Sequence, residues 1–135
     1  MDIRSELKAH EIKYTKQREE VLSILKASML PMTINQLRDQ LEVEMDLSTI
    51  YRILDVLLEK EIITKTVPLE PSQALYDYKR HIHKHHLICT ICGKIQIIEG
   101  CPLHDYEHQV EAKTQYIIDR HQLELYGVCP NCQIH

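Results

Sequence analysis

Two pairs of cysteines with matched spacing constrain this chain more than any other feature. Cys89 and Cys92 form the first pair, Cys129 and Cys132 form the second, and two residues separate the thiols in each. This spacing lets each pair present both sulfurs to one ion, and two pairs complete the tetrahedral thiolate set that structural zinc prefers. The sequence therefore predicts a structural Zn²⁺ site that joins two distant segments.

Two other interpretations of the cysteines remain open at this point. Cys129-Pro130-Asn131-Cys132 resembles the dithiol of an oxidoreductase, in which one thiol has a lowered pKa. That interpretation explains only one of the two pairs. Free buried thiols are the other alternative, and they do not account for the matched spacing.

A histidine-rich run stands directly before the first cysteine pair. It reads His81-Ile82-His83-Lys84-His85-His86. In a strand, His81, His83 and His85 point to one side, while His86 points to the other, so two ligand sites on opposite faces are predicted. Imidazole suits zinc, copper or nickel, whereas harder ions prefer carboxylates. The alternative is a solvated, histidine-rich hinge.

The first 80 residues predict helices followed by a hairpin. Apolar residues at helical spacing indicate four helices, with a Thr15 cap, a Thr33–Gln36 capping box and a fourth helix that starts near Ser48. Two β-branched or aromatic runs, 62–67 and 74–78, flank a Pro-rich turn and predict two strands. This order is the outline of a winged helix-turn-helix. Farther along, 87–98 and 116–126 are strand-rich and 103–113 is helical. The expected class is α+β.

Candidate DNA-binding residues lie at the start of the fourth and second helices. Hydroxyls, an aromatic ring and an arginine at a helix N-terminus suit contacts with phosphates and base edges. A basic patch on the second helix would contact the DNA backbone. An amphipathic helix with a solvated face is the alternative for each patch. The candidates are Ser48, Thr49, Tyr51 and Arg52, with Lys16 and Arg18 beside Lys13 and Gln17.

Composition excludes several classes of protein. The net charge of −4 over 135 residues argues against a general polyanion binder, although a local patch can still bind specific DNA. No apolar run approaches the roughly 18 residues of a membrane-spanning helix. The N-terminus lacks the apolar region of a signal peptide. We therefore expect a cytoplasmic protein with no membrane partner.

In combination, these motifs resemble the ferric uptake regulator family of metal-responsive repressors, and most of all its zinc uptake regulator branch. The resemblance implies an N-terminal winged helix, a small α/β dimerisation domain, a homodimer and repression when metal is bound. We expect domains at 1–78 and 83–135, with a hinge at 79–82 between the hairpin and the histidine-rich segment. It also implies that the four paired cysteines hold the structural zinc. The matching segments are Thr15 with Gln17-Arg18, 48–54, Leu75-Tyr76, the histidine run with Cys89-x-x-Cys92-Gly93, and 123–132.

The resemblance also implies two regulatory metal sites. Within the dimerisation domain, the family's ligand positions look like His83, His85, His104 and His121. Histidines stand here where iron-responding members often carry carboxylates, so Zn²⁺ is the expected regulatory metal, with Fe²⁺ or Mn²⁺ as alternatives. A site at the hinge matches less well. Its candidate ligands are Asp77, His81, His86 and Cys101.

The resulting hypothesis is a zinc-responsive repressor that binds a palindromic double-stranded DNA operator as a homodimer and has no small-molecule substrate. One rival is an iron, manganese or peroxide sensor of the same family. A second is a zinc-dependent hydrolase, in which His83, His85 and His121 would hold a catalytic ion. The His-Glu-x-x-His motif is missing, and nothing directs the candidate general bases, Glu99 and Glu107, to the cluster, so the chain is not expected to be an enzyme.

Overall fold

The N-terminal part of the chain forms four helices because its apolar residues recur every three or four positions. The computed structural model describes residues 2–69, 72–80 and 84–133. The helices pack through a core of leucine, isoleucine and valine, in which Leu22, Leu37 and Leu54 are fully buried. Their bounds are α1 (Ile3–Ala9), α2 (Lys16–Ala27), α3 (Ile34–Gln40) and α4 (Leu47–Glu59).

Side-chain caps define where the helices begin. The Thr15 hydroxyl accepts a hydrogen bond from the Arg18 N–H at 3.1 Å and starts α2. Thr33 and Gln36 form the reciprocal capping box of α3. Both caps confirm the sequence prediction. Helix α4 begins one residue before the predicted Ser48, because the Asp46 carboxylate accepts the Thr49 N–H at 2.8 Å.

A two-stranded hairpin follows the helices, as predicted. Strand β1 (Ile63–Thr66) pairs antiparallel with β2 (Leu75–Tyr78). Met32, in the α2–α3 connection, exchanges backbone hydrogen bonds of 2.9 and 2.8 Å with Tyr76 and extends the ladder. Four helices with this hairpin make a winged helix-turn-helix.

A polar network joins three elements of this unit. Glu6 on α1 accepts from the Lys26 ammonium at 3.0 Å and from the Tyr78 hydroxyl at 2.5 Å. The hydrogen bond to Glu6 raises the pKa of Lys26, and burial together with Glu6 raises the pKa of Tyr78. The buried Glu6 side chain therefore has both a cation and a hydroxyl as hydrogen-bond partners.

The C-terminal part forms a three-stranded sheet with one helix. Strand β3 (Lys84–Cys89) is central, with β4 (Ile95–Glu99) antiparallel to it on one side and β5 (Glu124–Gly127) parallel to it on the other. Helix α5 (His104–Thr114) lies in the connection from β4 to β5, and a 3-10 turn (Pro130–Cys132) follows β5. The predicted α+β class is confirmed.

One element differs from the sequence prediction. Residues 116–126 were expected to be strand-rich, but β5 contains only Glu124–Gly127. Gln115 adopts a left-handed conformation that ends α5. The apolar Tyr116 and Ile117 that follow it are exposed and belong to none of the strands in the described part of the chain. These two residues have the composition of a strand, but in this structure they form exposed apolar surface.

The chain divides into two units, Met1–Lys79 and Arg80–His135. The predicted hinge at 79–82 includes His81 and Ile82, which lie outside the described residues. Within the described part of the second unit, only His85, Ile88 and Cys89 are buried. No helix among the described residues has the length and apolarity needed to cross a membrane.

Candidate metal centres and DNA-binding surface

The four paired cysteines converge at one end of the second unit. Cys89 is the last residue of β3, and Cys92 lies in the turn that follows, where Gly93 takes the positive φ of 79° that reverses the chain toward β4. Cys129 directly precedes the 3-10 turn after β5, and Cys132 is the last residue of that turn. Because β5 runs parallel to β3, both turns begin at the same end of the sheet. The four Sγ atoms lie within 4.8 Å of one another.

The separation of the sulfurs fits a single zinc ion. Cys92 Sγ and Cys129 Sγ are 3.8 Å apart. Tetrahedral zinc with Zn–S bonds of about 2.3 Å places its sulfurs about 3.8 Å apart, whereas a disulfide bond is about 2.05 Å long. All five cysteines are free thiols in this structure. The arrangement fits the predicted zinc ligands, and ligation itself remains a prediction.

The electrostatics of this cluster favour a bound cation. The backbone N–H groups of Cys129 and Cys92 donate to Cys89 Sγ at 3.4 and 3.5 Å and lower the pKa of Cys89 to about 6. The side-chain hydrogen bond with Cys129, burial and the neighbouring thiols of Cys92 and Cys89 raise the pKa of Cys132 to about 12. One thiol therefore ionises readily, while a full set of thiolates requires a compensating positive charge.

A second group of metal-binding side chains joins three separate segments of the same unit. His85 lies on β3, Cys101 in the β4–α5 connection and His121 before β5. His121 Nε2 is 3.3 Å from His85 Nε2 and 3.3 Å from Cys101 Sγ. Tetrahedral zinc with Zn–N bonds of about 2.05 Å places two nitrogens about 3.3 Å apart. His85 is buried, and the other two residues are half-buried.

Hydrogen bonds on the far side of both rings fix their tautomers. His85 Nδ1 donates to the carbonyl of Leu123 at 3.1 Å. His121 Nδ1 donates to the Glu107 carboxylate. In the neutral imidazoles the proton is therefore on Nδ1, and each Nε2 offers a lone pair. Two such lone pairs face one another across 3.3 Å, which is the arrangement that a metal ion requires of its ligands.

The remaining predicted ligands lie elsewhere. His104 is exposed at the start of α5, with its ring against that of His108. Asp77 is buried on β2 of the first unit, and His86 is half-buried on β3 of the second. His81 and His83 lie outside the described residues. Cys101, expected at the hinge, instead joins His85 and His121.

Three of the predicted DNA-binding residues, from α2 and α4, line one groove. Arg18 and Thr49 line it with Arg52, Thr15 and Gln17. The Arg18 guanidinium donates to the Lys13 carbonyl at 2.7 Å, and Arg52 reaches Thr49 Oγ1 at 3.4 Å. The other predicted residues are also exposed. Ser48 and Tyr51 lie on α4, and Lys16 lies on α2.

Residues 9–126 match the ferric uptake regulator family. The chain belongs to that family. It is a metal-responsive transcription regulator and not an enzyme.

Similarity between this ferric uptake regulator family member and its relatives extends over nearly the whole chain. The ferric uptake regulation protein of Campylobacter upsaliensis is 31% identical over 126 residues, which are 90% of this chain and 80% of that protein. The peroxide-responsive repressor PerR of Staphylococcus saprophyticus is 30% identical over 130 residues, 94% of this chain and 86% of that one. The structure of the Helicobacter pylori ferric uptake regulator, which has three functional metal binding sites, matches with a TM-score of 0.81 and 27% identity over 98% of this chain and 90% of that one.

Sequence reasoning considered Glu107 of this regulator only as a possible general base, and not as a partner of a metal ligand. The family pattern takes a ligand from α5, and His104 was assigned to that position. An acidic residue one turn after His104 was the available signal. Asp46, the cap of α4, was missed although it directly precedes the helix and is a preferred capping residue.

Proposed function

We propose that this regulator is a zinc-responsive repressor that binds a palindromic double-stranded DNA operator as a homodimer. The observation that carries the proposal is the convergence of two imidazole nitrogens and one thiol at His85, His121 and Cys101. The proposal takes Cys101 in place of His104 as a ligand of the regulatory site. The paired cysteines supply a second, permanent zinc site.

The chemistry of the donor set supports zinc as the sensed metal. Thiolate and imidazole suit zinc, whereas manganese prefers oxygen ligands. No carboxylate joins the described members of the group directly, and Glu107 contacts the far nitrogen of His121. When bound, the ion would connect β3, the β4–α5 connection and the segment before β5. These three segments would then be held in one arrangement.

The surface of the second unit supports a homodimer. Ile117 is 92% exposed, Tyr116 is 74% exposed, and Leu87 and Leu125, paired in register on β3 and β5, are also accessible. Apolar surface of this kind on a unit with so small a core favours burial against a second copy. A twofold-symmetric dimer presents two copies of α4 to the two half-sites of a palindrome.

Repression in this proposal is a shift between two populations of the dimer. Metal binding favours the arrangement in which both α4 helices fit the operator. A coupling of about 1–3 kcal/mol changes the operator affinity about 5–150-fold. The groove with Arg18 and Arg52 would contact phosphates, and Ser48, Thr49 and Tyr51 would approach the bases.

A sensor of iron, manganese or peroxide is the second candidate. The sequence relatives favour it, since those named above are a ferric uptake regulation protein and a peroxide-responsive repressor. The thiol of Cys101 in the ligand group favours zinc. A hydrolase has no support, because the family consists of transcription regulators.

The test compares metals on operators that the protein itself selects. Duplexes are selected from a random pool by protein loaded with Zn²⁺, Fe²⁺ or Mn²⁺ without oxygen, and the operator affinity is then measured at graded free metal. We expect zinc to give half-maximal binding at the lowest concentration. Cys101→Ser should raise that concentration about tenfold or more, while His104→Ala should leave it unchanged. A wild-type zinc response in Cys101→Ser, or tighter binding with iron or manganese, would refute the zinc assignment.

A further inference from the structure

Helix α5 carries three metal-binding side chains that the regulatory site does not use. His104, His108 and Glu111 stand at positions i, i+4 and i+7 of the helix. Residues at this spacing lie on one face, one above the other. The His104 and His108 ring centroids are 4.8 Å apart, and His108 Nδ1 is 3.5 Å from Glu111 Oε1. His108 thus neighbours both His104 and Glu111, and all three carry donor atoms of the kinds that bind zinc.

Glu111 is already held in place. Its Oε2 accepts the backbone N–H of Ile118 at 2.9 Å, while Oε1 faces His108. The side chain of Glu111 is 29% exposed and that of His108 is 65% exposed. A carboxylate fixed through one oxygen loses little rotamer freedom when the other oxygen binds an ion. The exposed rings of His104 and His108 can turn from their edge-on contact on a fast timescale.

We propose that His104, His108 and Glu111 form a separate, weaker site for a divalent transition metal, with zinc as its natural occupant. Two histidines four residues apart on one helix face are an established zinc-binding pair. Two imidazoles with one carboxylate make a known zinc ligand set whose remaining position is filled by water. The site has no thiolate and lies on the surface, so its affinity is lower than that of the group around Cys101. None of its ligands belongs to either other site, and the proposal does not depend on zinc-responsive repression.

Equilibrium dialysis of the full chain against graded Zn²⁺ tests this site. Bound zinc is counted in the wild type, in His108→Ala and in a matched control, His10→Ala, which removes a histidine that ends α1. We expect the wild type and the control to bind one zinc per chain more than His108→Ala at high free zinc. The tightly held zinc should be equal in all three. Equal totals in the wild type and His108→Ala, or the same loss in the control, would overturn the proposal.

A conservative variant separates ligand loss from helix loss. Glu111→Gln keeps an oxygen that can accept the Ile118 N–H but removes the carboxylate charge. It should weaken the extra zinc while circular dichroism shows unchanged helix content. In NMR spectra, zinc should shift the His104 and His108 imidazole signals together in the wild type and at higher zinc in Glu111→Gln. Zinc-dependent shifts in neither imidazole would refute the site even if a variant failed to fold.

Discussion

At the scale of single residues, His121 is the member of the proposed regulatory group that contacts both other members, His85 and Cys101. Its Nε2 faces both His85 and Cys101, and its Nδ1 donates to Glu107. A carboxylate in this position orients the ring, fixes the tautomer and makes Nε2 a stronger ligand. Glu107 is therefore a positioning residue for the proposed metal site.

Glu107→Ala should weaken regulatory zinc binding about 10–100-fold, because His121 then loses the hydrogen bond that fixes its tautomer and its ring orientation. Zinc held by the four paired cysteines should remain. Competition with a colorimetric chelator measures both populations in one titration. Asp105→Ala is the matched control, since Asp105 is an exposed acid in the first turn of the same helix. Equal zinc affinities in Glu107→Ala and Asp105→Ala would contradict the assigned role.

The two metal groups differ in how far sequence alone could predict them. The spacing within each cysteine pair is local, so the sequence predicted which thiols act together. The group around His121 depends on the β4–α5 connection passing beside β3, which no local pattern encodes. Cys101 was consequently considered for the hinge, and His104 was taken as the ligand from α5. The structure brings Cys101 to His121 and leaves His104 beside His108.

At the scale of elements, a carboxylate from α2 holds the connection that leads into α4. Glu20 accepts hydrogen bonds from the backbone N–H groups of Glu42 and Val43, in the connection between α3 and α4. This contact fixes the turn of the helix-turn-helix. We therefore expect Glu20 to influence the direction in which α4 leaves that turn.

Glu20→Ala should lower operator affinity although Glu20 does not line the groove between α2 and α4. Its loss leaves two backbone donors without a carboxylate and should cost about 1.5 kcal/mol of unfolding free energy. Urea unfolding and operator binding of the zinc-loaded protein measure the two effects. Glu19→Ala serves as the control on the same helix turn. If both variants bound the operator as the wild type does, Glu20 would not position α4.

The elements themselves were largely predictable because their signals are local. Caps at Thr15 and Thr33, helical apolar spacing and the two β-branched runs gave the winged helix-turn-helix. The segment after α5 was predicted wrongly, because Tyr116 and Ile117 have the composition of a strand. A strand also needs a neighbour for its backbone, and that condition depends on the whole sheet.

At the scale of the whole molecule, the two units differ in what stabilises them. The first has a continuous aliphatic core. Among its described residues, the second buries only three side chains, and two of these, His85 and Cys89, belong to the proposed metal groups. The second unit should therefore depend on metal and on a partner copy for much of its stability.

Cys92→Ser tests this dependence. Loss of one structural zinc ligand should convert the protein from a dimer to a monomer in sedimentation and should remove the ordered NMR signals of the sheet β4–β3–β5. Signals of the α1–α4 core should persist, because none of the residues described in that core belongs to a proposed metal group. A dimer of unchanged stability in Cys92→Ser would contradict a structural role for the paired cysteines.

One measurement tests the central claim most directly. Zinc per chain and operator affinity are followed together while a chelator is titrated into dialysed, zinc-loaded protein. We predict that one zinc leaves first, that operator affinity falls about 5–150-fold with it, and that the second zinc remains until the sheet of the second unit unfolds. Operator affinity that stays constant after the first zinc has left would contradict regulation through His85, Cys101 and His121.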